Sequence, residues 1–140
     1  MVSSKWIVGS EESKLEDVKS IRRAVFSEEF DKDDINARHV LVSNEGTPAA
    51  TGRLVIKQGV HTLGKIAVLP EFRGKLLGDL VLRMLIRAAY NRGGNQQWLQ
   101  SPPSACAFFE RLGFVKKEEK DGLITMLREG DITGACNDSR

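Results

Sequence analysis

The sequence predicts a single α/β domain of the α+β kind, and three observations carry that expectation. The chain has 140 residues, 41% hydrophobic and 29% charged, which is apolar content for one core and too short a chain for two. Short β-like runs are interleaved with stretches in which apolar residues recur at helical spacing. Turn residues such as Asn44, Glu45, Gly46 and Thr47 separate neighbouring β runs closely enough to make hairpins.

Lys5 to Val8 reads as a first strand. Glu11 to Phe26 reads as a helix with Leu15, Val18, Ile21, Val25 and Phe26 near one face, and Ser10 is its expected N-cap. Asp31 to Ala37 is polar and suits a short second helix. Val40 to Ser43 and Ala49 to Lys57 form the expected hairpin, and His61 to Val68 the next strand. The period then changes. Leu77, Leu80, Val81, Met84, Leu85 and Ala88 mark one face of a long helix, with Lys75, Asp79, Arg83, Arg87 and Asn91 opposite. Gly93 and Gly94 stop it. Gln97 to Gln100 suits a short strand, Ser104 to Leu112 a helix after Pro102 and Pro103, and Phe114 to Lys117 with Leu123 to Arg128 an antiparallel pair. One domain over residues 1–128 is expected, with a polar tail over 129–140 that adds little to the core.

Composition excludes several function classes. The 21 Lys plus Arg and 19 Asp plus Glu leave a net charge of +2, too small for a general nucleic-acid or membrane-surface binder. Cys106 and Cys136 have neither metal-ligand spacing nor the density of a disulfide framework, so no metal site is expected. The segment Met1 to Ser10 lacks the apolar run of a signal peptide, and Asp79 and Arg83 interrupt the richest apolar stretch. A cytoplasmic protein without a membrane segment is expected.

The run from Val68 to Gly78 carries the chemistry. Arg73 and Lys75 lie where the long helix begins, next to N–H groups without internal partners and a positive helix dipole. An anion would resolve that conflict, and Gly74 and Gly78 leave room for a phosphate to approach the backbone. In the alternative, Glu71 and Asp79 neutralise the two cations in an ordinary strand-to-helix turn. The run has neither the Gly-Lys-Ser/Thr of a P-loop nor a Gly-x-Gly-x-x-Gly.

What the run resembles is the signature of the GNAT family of N-acetyltransferases, in which Arg or Gln and two small residues open the central helix. Arg73 and Gly78 match its ends, whereas Leu76 stands at the middle glycine. The segment Phe108, Phe109, Glu110, Arg111, Leu112, Gly113, Phe114 is similar to the family's late helix. Ile21, Arg22, Arg23, Ala24, Val25, Phe26 and later His39, Thr51, Gly52, Arg53, Leu54 resemble one subgroup of small members.

The resemblance implies a mixed, mostly antiparallel sheet flanked by helices, with acetyl-CoA as cosubstrate between the splayed fourth and fifth strands. It implies that backbone N–H groups of Arg73, Gly74, Lys75, Leu76, Leu77 and Gly78 hold the pyrophosphate, and that Ile66, Ala67 and Val68 pair with the pantetheine. Ser104 and Phe108 would contact the cofactor, and the Val68 N–H would face the thioester oxygen. The usual tyrosine acid is replaced by Phe109, which lines the site without a proton to donate. The implied acceptor is a small-molecule or peptide amine, in a monomer or homodimer. An acyl-CoA-binding module with little or no transferase activity is the alternative. His39 and His61 read as ordinary polar residues at strand ends, Trp6 and Trp98 as core fillers, Tyr90 as structural and Cys106 as a small buried residue. The segment Glu11 to Asp34 has nine acids and five bases, a local charge of 5 − 9 = −4, which suits either a cationic acceptor or a solvated helix face.

Overall fold

Side-chain alternation along the central strands sets the layers. In β2 (Arg38–Asn44), Val40 and Val42 face one side of the sheet and Leu41 the other. On the first side they join a core with α2 (Leu77–Asn91) and α3 (Cys106–Glu110), and on the second Leu41 packs with α1 (Glu16–Phe26). The remaining strands are β1 (Val2–Val8), β3 (Thr47–Lys57), β4 (Val60–Val68), β5 (Gln96–Ser101), β6 (Val115–Lys120) and β7 (Leu123–Glu129). The structure is a computed structural model that describes residues 1–132. Its seven strands lie in the order β1-β2-β3-β4-β5-β7-β6, antiparallel except for β4 beside β5. This is the mixed, mostly antiparallel sheet flanked by helices that the sequence implied.

Several elements differ from their expected extent. The first helix starts late: the Glu11 N–H bonds the Val8 carbonyl at 2.9 Å, a 3₁₀ turn spans Glu12–Lys14, and Leu15, not Ser10, precedes the first α-helical residue. Leu15 is buried beneath the helix, so burial of an apolar side chain displaces a polar cap. Asp31 to Ala37 contains only a 3₁₀ turn, Asp34–Asn36. The expected helix from Ser104 to Leu112 divides into a 3₁₀ turn, Pro103–Ala105, and the five residues of α3. In α2 the buried face is wider than the heptad-like stripe: Leu82, Ile86 and Ala89 are buried, whereas Leu80 and Met84 are half-buried. The polar segment from Glu129 begins inside β7, Arg87 bonds Asp131 at 2.8 Å, and Ile132 packs against the core. Cys136 lies outside the described residues.

Two local devices shape β4. Leu63 and Ile66 face the same core although they are three residues apart, because a bulge at Gly64 to Ile66 inserts one residue opposite Gly52. Lys65 within it has φ +51°. Across from the bulge, a Cβ on Gly52 would stand 2.6 Å from Val81 Cγ1 and 2.9 Å from Leu85 Cδ1. Only glycine lets α2 sit that close to β3.

The loop from α1 to β2 is clamped to the sheet by buried charge. Asp34, 1% exposed, accepts hydrogen bonds from Arg22 at 2.6 and 3.2 Å, from Arg53 at 2.8 Å and from the Asp31 N–H at 2.7 Å. Burial alone would raise its pKa, but these four donors hold the carboxyl far below its ordinary value of 3.8. Phe30 stacks on His39 at 5.3 Å between ring centroids, and Arg22 lies 4.6 Å over the Phe30 ring. Burial drives the His39 pKa below 6.5, against the raising effect of the Asp34 carbonyl 3.1 Å from Nε2.

Removing the anion while leaving both guanidinium groups in place is therefore severe. Asp34→Asn should cost about 3–5 kcal/mol in urea unfolding. For both His39 and Asp34 the folded pKa is depressed, so the unfolded chain binds the extra proton and stability falls as pH drops. The His39 part is lost below about pH 6.5 and the Asp34 part below about pH 3.8. Replacing His39 by Gln should flatten the upper step in a series of denaturation midpoints, and an unchanged slope would assign that step elsewhere.

Candidate active site

The sheet opens where β4 and β5 separate. Only two residue pairs join these parallel strands, His61 with Gln97 and Thr62 with Trp98. Beyond them β4 stays paired to β3, with Thr51 opposite Ala67 and Ala50 opposite Val68, and leaves its other edge without a strand partner. The Leu69 N–H bonds the Ala49 carbonyl at 2.9 Å, so strand alternation turns the Val68 N–H the other way, toward the opening. The Val68 carbonyl accepts a hydrogen bond from Arg73 Nε at 3.1 Å.

A cleft of about 890 Å³ runs into this opening and is lined from both faces of the sheet. Phe26 and Glu28 contribute from the end of α1, Ala105 and Phe109 from around α3, and Ile66 and Trp98 from the separating strands. Phe108 and Phe109 meet edge to face at 5.0 Å. Phe108 turns to α2, and a Cβ on Gly78 would lie 3.6 Å from its ring and 3.5 Å from Val68 Cγ2. The end of β4, the start of α2 and α3 thus converge.

The chain between β4 and α2 makes a 3₁₀ turn at Pro70–Phe72, then passes through Gly74 at φ +84° and Leu76 at φ +63°. Among the described residues, no protein acceptor takes a hydrogen bond from the backbone N–H groups of residues 74–79; the first helical bond runs from the Leu80 N–H to the Leu76 carbonyl at 3.1 Å. Nor do Arg73 and Lys75 find carboxylates there, since Asp79 bonds Arg83 at 2.7 Å and Glu71 bonds neither cation. The neutralised-turn alternative is not what forms. N–H groups without protein acceptors, a helix dipole and two cations without carboxylate partners among the described residues together suit a phosphate.

The other residues singled out from the sequence are distributed as follows. Ala67 is buried and faces α1, whereas Ile66 and Val68 pack on the α2 side. Leu77 is buried at the start of α2, and Lys75 is exposed. Ser104 is exposed in the turn before α3 and does not line the cleft, although its neighbours Pro102 and Ala105 are close by along the wall. His39 and His61 each stand second in their strands and are buried, with ring nitrogens beside backbone carbonyls: Asp34 at 3.1 Å for His39, and Gly59 at 3.2 Å and Arg92 at 3.3 Å for His61. Neither lines the cleft. Trp6 does not fill the core: it is 40% exposed on an edge strand. Trp98 lines the cleft beside the last β4–β5 pair. Cys106 is buried, with Ser101 Oγ 3.8 Å from its sulfur. Among the described residues no group of His, Cys, Asp and Glu is arranged to hold a metal, and no helix is long and apolar enough to cross a membrane.

Pattern reading missed the cleft's charged lining. Glu28 bonds Lys65 at 2.8 Å and Asp33 bonds Lys57 at 2.7 Å, while Arg53 bonds Asp31 and Asp34 at 2.8 Å each. Lys57 pulls the Asp33 pKa below its ordinary value, chiefly through this hydrogen bond. The acids at the end of the acidic segment are therefore matched by bases from β3 and β4, and the rim of the cleft carries no excess negative charge. The broken alternation at Lys65 is the one sequence signal that marks this place.

A sheet split between two parallel strands, beside a helix start ready for an anion, is the architecture of the N-acyltransferases. The chain belongs to the Acetyltransferase (GNAT) family, which it matches over residues 8–114. It is 27% identical over 127 residues to a Bacillus subtilis protein named as an uncharacterized N-acetyltransferase, YjcF, with 85% of this chain and 91% of that protein covered. The crystal structure of an acyl-CoA N-acyltransferase from Pseudomonas aeruginosa superposes with a TM-score of 0.81 at 21% identity, covering 91% and 99% of the two chains. The PaiA N-acetyltransferase of Thermoplasma acidophilum, solved in complex with coenzyme A, gives 0.74 at 12% identity, over 93% and 99%. At these identities the two structures establish the shared fold.

Leu76 is the departure from the family signature, and it carries a conformational cost. A left-handed leucine is disfavoured by about 1–2 kcal/mol, and its side chain, 74% exposed, recovers little by burial. Leu76→Gly is expected to stabilise the fold by up to about 1 kcal/mol, limited by the greater freedom of glycine in the unfolded chain. Urea unfolding measures this, and a loss of stability would show that Leu76 makes a contact that outweighs the strain.

Proposed function

We propose that this protein transfers the acetyl group of acetyl-CoA to a primary amine. The observation that carries the reading is a cleft lined from both faces of the sheet beside the unpaired edge of β4, which would let donor and acceptor approach that edge from different sides. The pyrophosphate would lie against the N–H groups of residues 74–78 with Arg73 and Lys75 near it, and the pantetheine along Ile66 to Val68. The Val68 N–H would donate to the thioester oxygen as negative charge develops there. Phe109 would stand beside the departing sulfur. A thiol of pKa about 8.5 leaves tolerably without an acid, so the absence of a tyrosine is compatible with turnover. The apolar lining and paired charges of the cleft favour an amine on an uncharged apolar body over a polycation.

That Phe109 cannot donate a proton supports the second reading, an acyl-CoA-binding module with little transferase activity. Following free thiol during incubation with acetyl-CoA and apolar primary amines separates the two. Binding without thiol release favours the module.

Coenzyme A should raise the melting temperature, with a stabilisation of about 2.7 kcal/mol at one hundred times its Kd. No heat of binding at millimolar cofactor would reject the donor site. A Cβ on Gly78 meets only ordinary van der Waals contacts, so Gly78→Val should fold, yet its branched side chain should weaken coenzyme A binding by about tenfold or more. Parent-like affinity would move the phosphate site elsewhere. Phe109→Tyr should keep or raise turnover, because the added hydroxyl would face the leaving sulfur. A large fall with binding intact would contradict that position for the sulfur.

A further inference from the structure

We infer that Glu28 is the carboxylate that takes the proton from the acceptor's ammonium group, a reading that rests on the acyl transfer proposed above. An alkylamine is protonated near neutral pH and cannot attack a carbonyl until it loses a proton. The cleft offers few groups to receive it. Among the described residues no His, Cys or Tyr lines it, and its carboxylates are Glu28 and Asp33. Asp33 is committed to Lys57 at 2.7 Å, and its pKa is pulled down, which makes it the poorer base.

Glu28 is likewise paired through one oxygen, Oε1 accepting from Lys65 Nζ at 2.8 Å, and its Oε2 accepts no hydrogen bond among the described residues, which leaves one oxygen for an ammonium. It differs from Asp33 in two respects. Its partner Lys65 is the bulge residue next to Ile66 and three before Val68, so the pair ties the carboxylate to the stretch of β4 that borders the opening. Its side chain is 42% exposed, which gives a received proton a route to water. Ser27, left-handed at φ +57°, ends α1 just before it, and Phe26 and Glu28 on either side both line the cleft.

The step balances. The ammonium gives one proton to Glu28, and the freed nitrogen lone pair forms the C–N bond with the thioester carbonyl carbon. The C–S bond breaks with its electron pair on sulfur. The nitrogen then loses a second proton, which goes to the thiolate directly or through water, and Glu28 releases its own to solvent. The net products are amide, CoA thiol and one proton.

The test uses the full chain, acetyl-CoA and the apolar amines benzylamine, 2-phenylethylamine and 4-phenylbutylamine, with thiol release followed from pH 6 to 10. Glu28→Gln should lower kcat/KM for the amine about 10²-fold at pH 7, with coenzyme A affinity by calorimetry unchanged. The deficit should shrink toward pH 10 as the amine loses its proton in solution, a change that a merely structural role would not produce. Glu28→Asp, which retains a carboxylate, should recover part of the loss at pH 7. Parent-like rates in Glu28→Gln, or a deficit constant with pH, overturn the inference and leave the acyl transfer standing. A parent protein that binds coenzyme A yet releases thiol with none of these amines favours the binding module and overturns this inference together with the acyl-transfer reading. A parent protein that does not bind coenzyme A instead removes the acyl-transfer reading itself.

Discussion

Over its last residues β4 is held along one edge only, and the candidate site depends on that arrangement. Two parallel pairs bring β4 and β5 together at His61 and Thr62, after which the strands part and the polar groups of one β4 edge face a cleft. Backbone donors and acceptors removed from a ladder must find other partners, and an extended ligand running along the edge would supply them. The bulge at Lys65 sits within the same stretch. It resets the alternation so that Ile66 and Val68 return to the α2 side while Lys65 is free to hold Glu28 near α1.

The opposite wall of the cleft is stabilised by different physics. The loop after α1 has little apolar burial of its own and is fixed by the Arg22–Asp34–Arg53 cluster, a buried carboxylate between two guanidinium groups. Such a cluster is costly to assemble and more costly to leave half-made, so its main effect is on which geometry the loop adopts. It also consumes charge. With Asp31 and Asp34 on arginines, Asp33 on Lys57 and Glu28 on Lys65, the acids of this segment that meet the cleft are each paired with a base from β3 or β4, despite the segment's formal charge of −4.

The start of α2 follows a third logic, in which its two nearby cations have no carboxylate partner among the described residues. Arg73 and Lys75 stand beside a helix start whose N–H groups have no protein acceptors among the described residues, and the nearest helical carboxylate is engaged with Arg83. Left-handed backbone at Gly74 and Leu76 turns the chain sharply into the start of α2. Leucine there shows that the turn geometry is kept even where the residue type disfavours it.

Much of the fold was legible because periodicity and turn residues are local properties. The α2 pattern, the hairpin at Asn44 to Thr47 and the strand-to-helix run from Val68 to Gly78 each announce themselves within a short window, and one of the family's motifs falls in that same run. Helix starts were less legible: Ser10 is a good cap by composition, but burial of Leu15 decides where α1 begins. What the sequence by itself determined was the order of elements and the family, since both are carried by short runs of consecutive residues. The tertiary structure alone decided the cleft's charge state and the place of Glu28, because ion pairs that join residues far apart in the chain exist only after β3 and β4 have met the loop behind α1. Charge counted along the chain cannot show which acids will be paired across space.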